Sequence, residues 1–503
     1  MEKDNRPNIL FLLNDHQVHY GHGMQGVRIQ RPRFDSFAKE GVRFEHAYSV
    51  CPLCGPARRS MLTGLYPHNH GETINDKDHP FDREVYLDTL YENGYENYYY
   101  GKWHAGGGRA QDHHCEGFCY PSYNNPYNKP EYKSYLERKG LPEPQIRIEH
   151  NFTSYFPYES MGEGSIYRQE RDWCNEHASG VMLTPKETHE SFFLAELACE
   201  KLRELAENKS GKPFSMRVDF WGPHQPYFPC QEFADLYHPQ DIPEYPSFRE
   251  DVAHNNKPEI YRSEDNRMIS ENGKLLYPNP VPLEVWQEVM ARAYAQITQL
   301  DAAAGMVLDA LERYGFADNT LVIWTTDHGD ALACHGGHFD KRSYMPEEML
   351  RIPMAVRYPG RMPAALVSNA LVSNLDVAPT ILEAAGCSFE KKVDGKSLLG
   401  VAPGTDNSFR SYFVCETHGH LEEHQGRALV TQRYKYVYNR EQLEELYDLC
   451  LDPYEQRNLA VEAAFAPLLR QMRSMLRDWI KKTGDHTISC PQTLIQQGKD
   501  ILL

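Results

Sequence analysis

The stretch Cys51-Pro-Leu-Cys54-Gly-Pro56-Ala-Arg58-Arg59-Ser-Met-Leu62-Thr63-Gly64 decides how this chain is read. Val42-Arg-Phe44 before it reads as an extended approach. Beyond Pro56 no residue breaks a helix until Gly64, so a short helix is expected, with Pro56 near its first turn. Cys54 then lies at the mouth of that helix. Free N–H groups and the dipole favour anionic chemistry there, and Arg58 follows four residues on, so the thiol reads as electrostatically primed. Local sequence leaves the cysteine pair open between two small buried apolar residues and a C-x-x-C redox or zinc motif. No second C-x-x-C and no thioredoxin-like first βαβ unit accompanies it.

With 503 residues the chain can bury a large core in one large domain with an appendage, or in two to three domains. The net charge of −18 argues against a nucleic-acid or anionic-membrane partner, though not against a small anion held by a local field. The 12 cysteines are scattered, and a chain this long needs no disulfide framework. Met1-Glu-Lys-Asp-Asn-Arg-Pro has no apolar leader, and no stretch is long and apolar enough to span a bilayer. A soluble, cytoplasmic protein is expected. There is no internal repeat and no low-complexity segment.

Asn8 to Leu13 is a continuous apolar run, the pattern of a central parallel strand. It ends in Asn14-Asp15-His16-Gln17, where open α/β sheets place their sites; alone, Asp15 also reads as a helix N-cap. A helical segment around Leu87–Tyr91 leads into a second strand, ending at Gly101-Lys102-Trp103-His104. Phe214 to Phe220 is a third, delivering Trp221-Gly-Pro223-His224-Gln-Pro226. A helix over Leu283–Tyr314 then precedes Thr320–Thr326, which ends in Asp327-His328-Gly329-Asp330. His335-Gly-Gly-His338-Phe-Asp-Lys341 makes poor core and reads as a site loop. Alone, Lys102 is an exposed strand-end lysine and His224 a surface loop histidine. Residues 105–282 are Tyr-, Pro- and His-rich and read as loops carried by a rigid sheet. After Gly404 short strands are expected at Ser411–Val414, Arg427–Val430 and Tyr434–Tyr438, followed by an amphipathic helix to about Lys482.

Cys54-Gly-Pro56-Ala-Arg58 running on to Leu62-Thr63-Gly64 resembles the C-x-P-x-R…L-T-G signature of the type I, formylglycine-dependent sulfatases, in the alkaline phosphatase-like superfamily. Gly101-Lys-Trp-His104, Pro223-His224-Gln-Pro226 and Asp327-His328 resemble further motifs of that family, and the likeness runs from Pro7 to about Leu459. It implies an α/β/α sandwich with a large mixed, mostly parallel sheet and a smaller C-terminal α+β subdomain. The divisions are a catalytic part at 1–404 and a C-terminal part at 405–503. Cys54 is implied to become formylglycine through a formylglycine-generating or anaerobic sulfatase-maturing enzyme. Asp15, Asp327, His328 and the modified Cys54 are implied to hold one divalent ion, calcium by family, with Mn²⁺ or Mg²⁺ also suited. His16 stands where the family has a second acid, a departure that leaves its ligand role open. Asn374 to Gly386 reads as an architectural capped helix.

The implied reaction is hydrolysis of a sulfate monoester. A hydroxyl of the hydrated aldehyde at Cys54, deprotonated with help from Asp327 or a neighbouring ligand, attacks sulfur. Lys102, Lys341, Arg58 and the metal hold the sulfonate oxygens. His224 protonates the leaving oxygen, and His104 helps expel sulfate. One metal with two lysines and Arg58 suits a monoanion, and the Tyr- and His-rich insertions suit a saccharide. Phosphonate or phosphate ester hydrolysis on the same fold is the rival reaction; a binder with unmodified Cys54 is the rival class.

Overall fold

The computed structural model describes residues 6–488, except 20–28, 77, 121–124, 152–161, 169–177, 209–210, 253, 264–280, 404–405 and 421. The first strand, β1 (Asn8–Asp15), is buried almost throughout. Its side chains alternate between two cores: Leu10 and Leu12 join one cluster, while Ile9, Phe11 and Leu13 join the other. A strand covered on both faces needs such an unbroken apolar run.

Around it lie β2 (Val42–Phe44), β3 (Glu96–Lys102), β4 (Cys115–Tyr120), β5 (Phe214–Pro223), β6 (Thr320–Thr326), β7 (Met354–Arg357) and β8 (Leu366–Ser368). The eight-stranded sheet has the order β8-β2-β7-β6-β1-β5-β3-β4. Strand β7 runs antiparallel to both neighbours, and every other pairing is parallel. Asn14 pairs with Thr326, Asp15 with Pro223 and Gly101 with Asp219, so the carboxyl ends of β1, β3, β5 and β6 share one edge. An edge where parallel strands end together is where ligands bind in such sheets.

The principal helices are α1 (Pro32–Lys39), α2 (Cys54–Thr63), α3 (Tyr86–Glu92), α4 (Glu190–Asn208), α5 (Leu283–Arg313), α6 (Val377–Ala384) and α7 (Ala466–Thr483). Phe34 and Phe37 of α1, Phe193 and Leu194 of α4, and Trp286 and Leu300 of α5 pack on the Leu10 side. Met61 and Leu62 of α2, Leu87 and Leu90 of α3, and Ile381 of α6 pack on the Phe11 side. The architecture is a three-layer α/β/α sandwich, as the resemblance implies.

The 105–282 region departs from the expectation of loops alone. It holds edge strand β4, a helix at Pro130–Lys139, a three-stranded sheet of Ile146–Asn151, Ile166–Tyr167 and Ala178–Met182, and the 19-residue α4. Phe192, Phe193, Leu194, Ala195, Ala198 and Leu202 give α4 a buried face, which secures the helix through packing. Much of the remaining Tyr- and Pro-rich sequence lies outside the described residues.

Beyond the sandwich, β9 (Phe413–Thr417), β10 (Gly426–Val430), β11 (Tyr434–Asn439) and β12 (Glu445–Asp448) form an antiparallel sheet in sequence order. Leu469, Met472, Leu476, Trp479 and Ile480 of α7 cover it at helical spacing. Two buried lysines tie this sheet to the sandwich. Lys257 Nζ donates to Tyr447 Oη at 2.8 Å and to the Glu455 carbonyl at 2.7 Å. Lys435 Nζ lies 2.8 Å from Glu455 and 3.3 Å from Glu347. No helix among the described residues is long and apolar enough to cross a membrane.

Candidate active site

Leu53 is extended, Cys54 is the first residue of α2, and left-handed Gly64 (φ 68°) ends the helix. The helix is therefore aimed so that its first residue meets the carboxyl edge of the sheet. Its whole length is buried. Asn374 holds this approach in place: its Nδ2 donates to the Asp327 carbonyl at 2.8 Å, and its Oδ1 accepts from Val50 N–H at 3.0 Å. Ser49 Oγ donates to the same Asp327 carbonyl at 2.6 Å. One asparagine thus sets the cysteine loop against the end of β6.

Asp15, Cys54, Asp327 and His328 converge there, with one ligand atom from each inside a span of 4.8 Å, all buried. His328 Nδ1 faces the Gly329 carbonyl at 2.8 Å, which leaves Nε2 turned toward Cys54 Sγ at 3.1 Å. Such a contact on one ring nitrogen readies the other for a metal. Asp15 Oδ1 lies 3.7 Å from Cys54 Sγ. Burial alone would raise the Asp15 pKa, but Lys102 and Arg58 outweigh it and hold the carboxyl well below the usual range. Two carboxylates, an imidazole and a fourth atom at Cys54 fit one divalent cation of borderline or hard character.

The Cys54 thiol departs from the primed state expected of it. Burial, then Asp15, push its pKa up to about 12, so the unmodified side chain is a poor thiolate. Cys51 is also pushed well up by burial and then Glu416, which removes the chemical basis of a redox pair.

Arg58 also departs from its expected position. Its Nη2 donates to Asp15 at 2.9 Å, Nη1 to Asp219 at 2.9 Å and Nε to Asp327 at 2.8 Å. The guanidinium is fully buried and spreads behind the carboxylates instead of facing a sulfonate. Asp219, which sequence reasoning missed, also accepts from Arg217 and from Tyr99 Oη at 2.8 Å. The only signal was two opposite charges inside the apolar strand Met216-Arg-Val-Asp219-Phe220. Gly101 lets β3 pass beside Asp219: a Cβ there would sit 2.0 Å from the Asp219 carbonyl, and φ is +114°.

Lys102 ends β3, with its ammonium on Asp15, 4.0 Å from Cys54 Sγ and over the Trp221 ring at 4.5 Å. His104 follows in a left-handed conformation (φ 41°); burial, then Lys102 and Arg58, push its imidazole well down. On the other side, His224 Nδ1 faces the Gln225 carbonyl at 2.7 Å, and Nε2 accepts from Lys341 Nζ at 2.9 Å. Lys341 and His224 therefore form a contact pair, which the sequence did not show. Lys341 also lies 3.4 Å from Asp340, a second residue the sequence reading passed over.

His16 is buried but outside the four-residue donor group. Its ring lies edge-on between His328 and His224, at centroid distances of 4.7 and 4.8 Å, with Nε2 3.7 Å from Asp330 and 3.6 Å from Asp340. Its backbone is left-handed, with a φ of 67°.

The sulfatase family model matches residues 7–387, and the model for the C-terminal region of N-sulphoglucosamine sulphohydrolase matches 334–482. An N-acetylglucosamine-6-O-sulfatase of Bacteroides thetaiotaomicron is 25% identical over 99% of this chain and 90% of its own length. A protein solved with its substrate D-glucosamine-2-N,6-O-disulfate superposes with a TM-score of 0.69 at 22% identity, covering 96% of this chain and 99% of that one. The phosphonate monoester hydrolase of Agrobacterium radiobacter superposes with 0.74 at 19% identity, covering 95% and 96%. These two share the fold. With its family match spanning most of the sequence and the cysteine, acids, lysines and histidines gathered at one sheet edge, this chain belongs to the sulfatase family and is an enzyme, a sulfatase.

Proposed function

We propose that the enzyme hydrolyses sulfate monoesters of carbohydrates, with Cys54 carried as formylglycine and one divalent cation held by Asp15, Asp327, His328 and the modified Cys54. The observation that carries this reading is the position of Lys341. His16, His224 and Asp340 form a second set of donors, and the Lys341 ammonium already lies against two of its members. The site therefore offers one metal-binding set and two lysines, which suits a singly charged ester better than a dianion. Two of the relatives named above, the N-acetylglucosamine-6-O-sulfatase and the protein solved with D-glucosamine-2-N,6-O-disulfate, act on sulfated glucosamine derivatives, which supports a saccharide as the departing alcohol.

When bound, the cation supplies Lewis-acid charge and the aldehyde hydrate supplies the nucleophilic hydroxyl. The chain's own residues do the rest. Arg58 fastens the two metal-binding aspartates. Lys102 and Lys341 present ammonium groups from opposite sides, facing the oxygens that gain charge. Lys341 and His224 act as a pair in delivering a proton to the departing oxygen, and His104 accepts one during sulfate release. The aldehyde comes from a separate formylglycine-generating or anaerobic sulfatase-maturing enzyme.

The test compares kcat/KM of verified formylglycine-containing enzyme on sulfated monosaccharides, an aryl phosphate and an aryl methylphosphonate. The sulfated sugar is expected to lead. A second reading, phosphonate monoester hydrolysis, is favoured by the shared single charge of that ester and by the fold likeness to a phosphonate monoester hydrolase. Phosphonate winning by about tenfold or more overturns the sulfate reading.

A further inference from the structure

The connection from β9 to β10 belongs to the C-terminal sheet, yet it is fixed against the loop that carries Lys341. Its stem is anchored twice: Glu416 N–H donates to the Val50 carbonyl at 2.8 Å, and the Glu416 side chain meets His68 Nδ1 at 2.5 Å and His418 Nε2 at 3.0 Å. Gly419 then turns with φ +90°; a Cβ there would sit 2.3 Å from the Glu422 carbonyl. His420 N–H donates to Ser343 Oγ at 3.0 Å, two residues beyond Lys341. The charged and titratable groups that His420 senses most are Lys341, Asp340, Arg342 and His328, all from the active-site side. His420 is a half-buried residue, whereas His16, His224 and His328 are fully enclosed. Its backbone bond to Ser343 sets it beside the Lys341 loop, and its partial exposure makes it the histidine here that a molecule arriving from solvent can reach.

We infer that His420 contacts a hydroxyl of the departing saccharide and selects for hydroxylated alcohols, without taking part in the chemical step. This inference rests on the carbohydrate sulfatase reading above. Burial, then Lys341, hold the imidazole down to about 3, so it is neutral at working pH and both donates and accepts one hydrogen bond, as a sugar hydroxyl requires. A rigid scaffold lends a loop residue the precision that such discrimination needs.

The experiment uses wild type, His420→Ala and His420→Gln, each with verified formylglycine, on 4-nitrophenyl sulfate and on the fastest of glucose, galactose and N-acetylglucosamine 6-O-sulfates. His420→Ala is expected to lower kcat/KM on the sugar about 10-fold or more, mainly through KM, while the aryl sulfate, which has no hydroxyls, changes by less than about 2-fold. His420→Gln should recover most of the loss. Equal losses on both substrates would assign His420 to holding Lys341 in place and overturn the inference, as would no loss on either. A wild type that cleaves aryl sulfate but none of the sugars removes the carbohydrate reading as well, whereas good sugar turnover with an unchanged ratio in His420→Ala removes this inference alone.

Discussion

Arg58 Nη2 and Asp15 Oδ2 meet at 2.9 Å, and neither side chain has any solvent access. The same guanidinium reaches Asp219 and Asp327, so a single cation holds three buried carboxylates in register. Under the function proposed above, its task is to hold Asp15 and Asp327 in place for the cation.

Arg58→Lys therefore tests where this charge acts. A lysine ammonium cannot span three carboxylates, and an uncompensated buried charge costs about 3–5 kcal/mol. Reduced metal content, a lower Tm and a loss of roughly 100-fold or more in kcat are expected. A rise in KM alone, with full metal content by elemental analysis, would place Arg58 on the sulfonate instead.

Asp15→Ala and Asp327→Ala are each expected to abolish bound metal, since each removes an anionic ligand from a four-donor set. His16→Ala should retain about one equivalent, because that ring lies outside the set. Elemental analysis of the three proteins decides this; metal loss in His16→Ala would return His16 to the coordination sphere.

Cys54 should carry the oxidation, and Cys51 should not. Conversion of a thiol side chain to an aldehyde lowers the peptide mass by about 18 Da. Peptide mass spectrometry of active enzyme showing an intact Cys54 thiol would refute the nucleophile assignment. Protein made without a maturation enzyme is expected to be inert, because the thiol is held protonated.

His335 links charge to stability. Its Nδ1 lies 2.6 Å from Glu250 and its Nε2 3.5 Å from Glu348. Burial and Lys257 push the imidazole down, but Glu348 and Glu250 outweigh them and raise it from 6.5 to about 9. A raised folded-state value means stability that is complete below about pH 6.5 and is lost as pH climbs through about 9. The shift corresponds to roughly 3 kcal/mol. Urea unfolding at pH 6 and 9.5 should show the drop in wild type and a flatter response in His335→Gln. Equal slopes in the two proteins would rule out this linkage.

The strand ends were readable because a buried parallel strand must be apolar, so polar residues at its carboxyl end stand out. Asp15 and Asp327-His328 stand out that way, whereas Lys102 and His224 are picked out only by the motifs they share with the sulfatases. Asp219 and Asn374 were not, because their meaning lies in partners far along the chain: Arg58 and Asp219 are 161 residues apart. The orientation of Arg58 could not be read either, since a motif names a residue without saying which face it presents. Proximity of Cys54 to a helix mouth suggested an ionised thiol, but burial and the adjacent Asp15 carboxylate dominate. Helix α4 was hidden by the Tyr- and Pro-rich sequence around it, though its own apolar face is regular.

The paired charges of Lys257, Lys435, Glu347 and Glu455 bear on how modular such an enzyme can be. The division drawn after residue 404 in the sequence separates two sheets, yet Lys257 and Glu347 lie before it while Lys435, Tyr447 and Glu455 lie after it. The two family matches overlap across 334–387, the stretch that holds Glu347. Exchanging C-terminal halves with a relative would strand buried charges on both sides of the cut unless these residues travelled together. The two sheets are thus expected to melt together and not as separable modules, because each keeps buried charges of the other partnered.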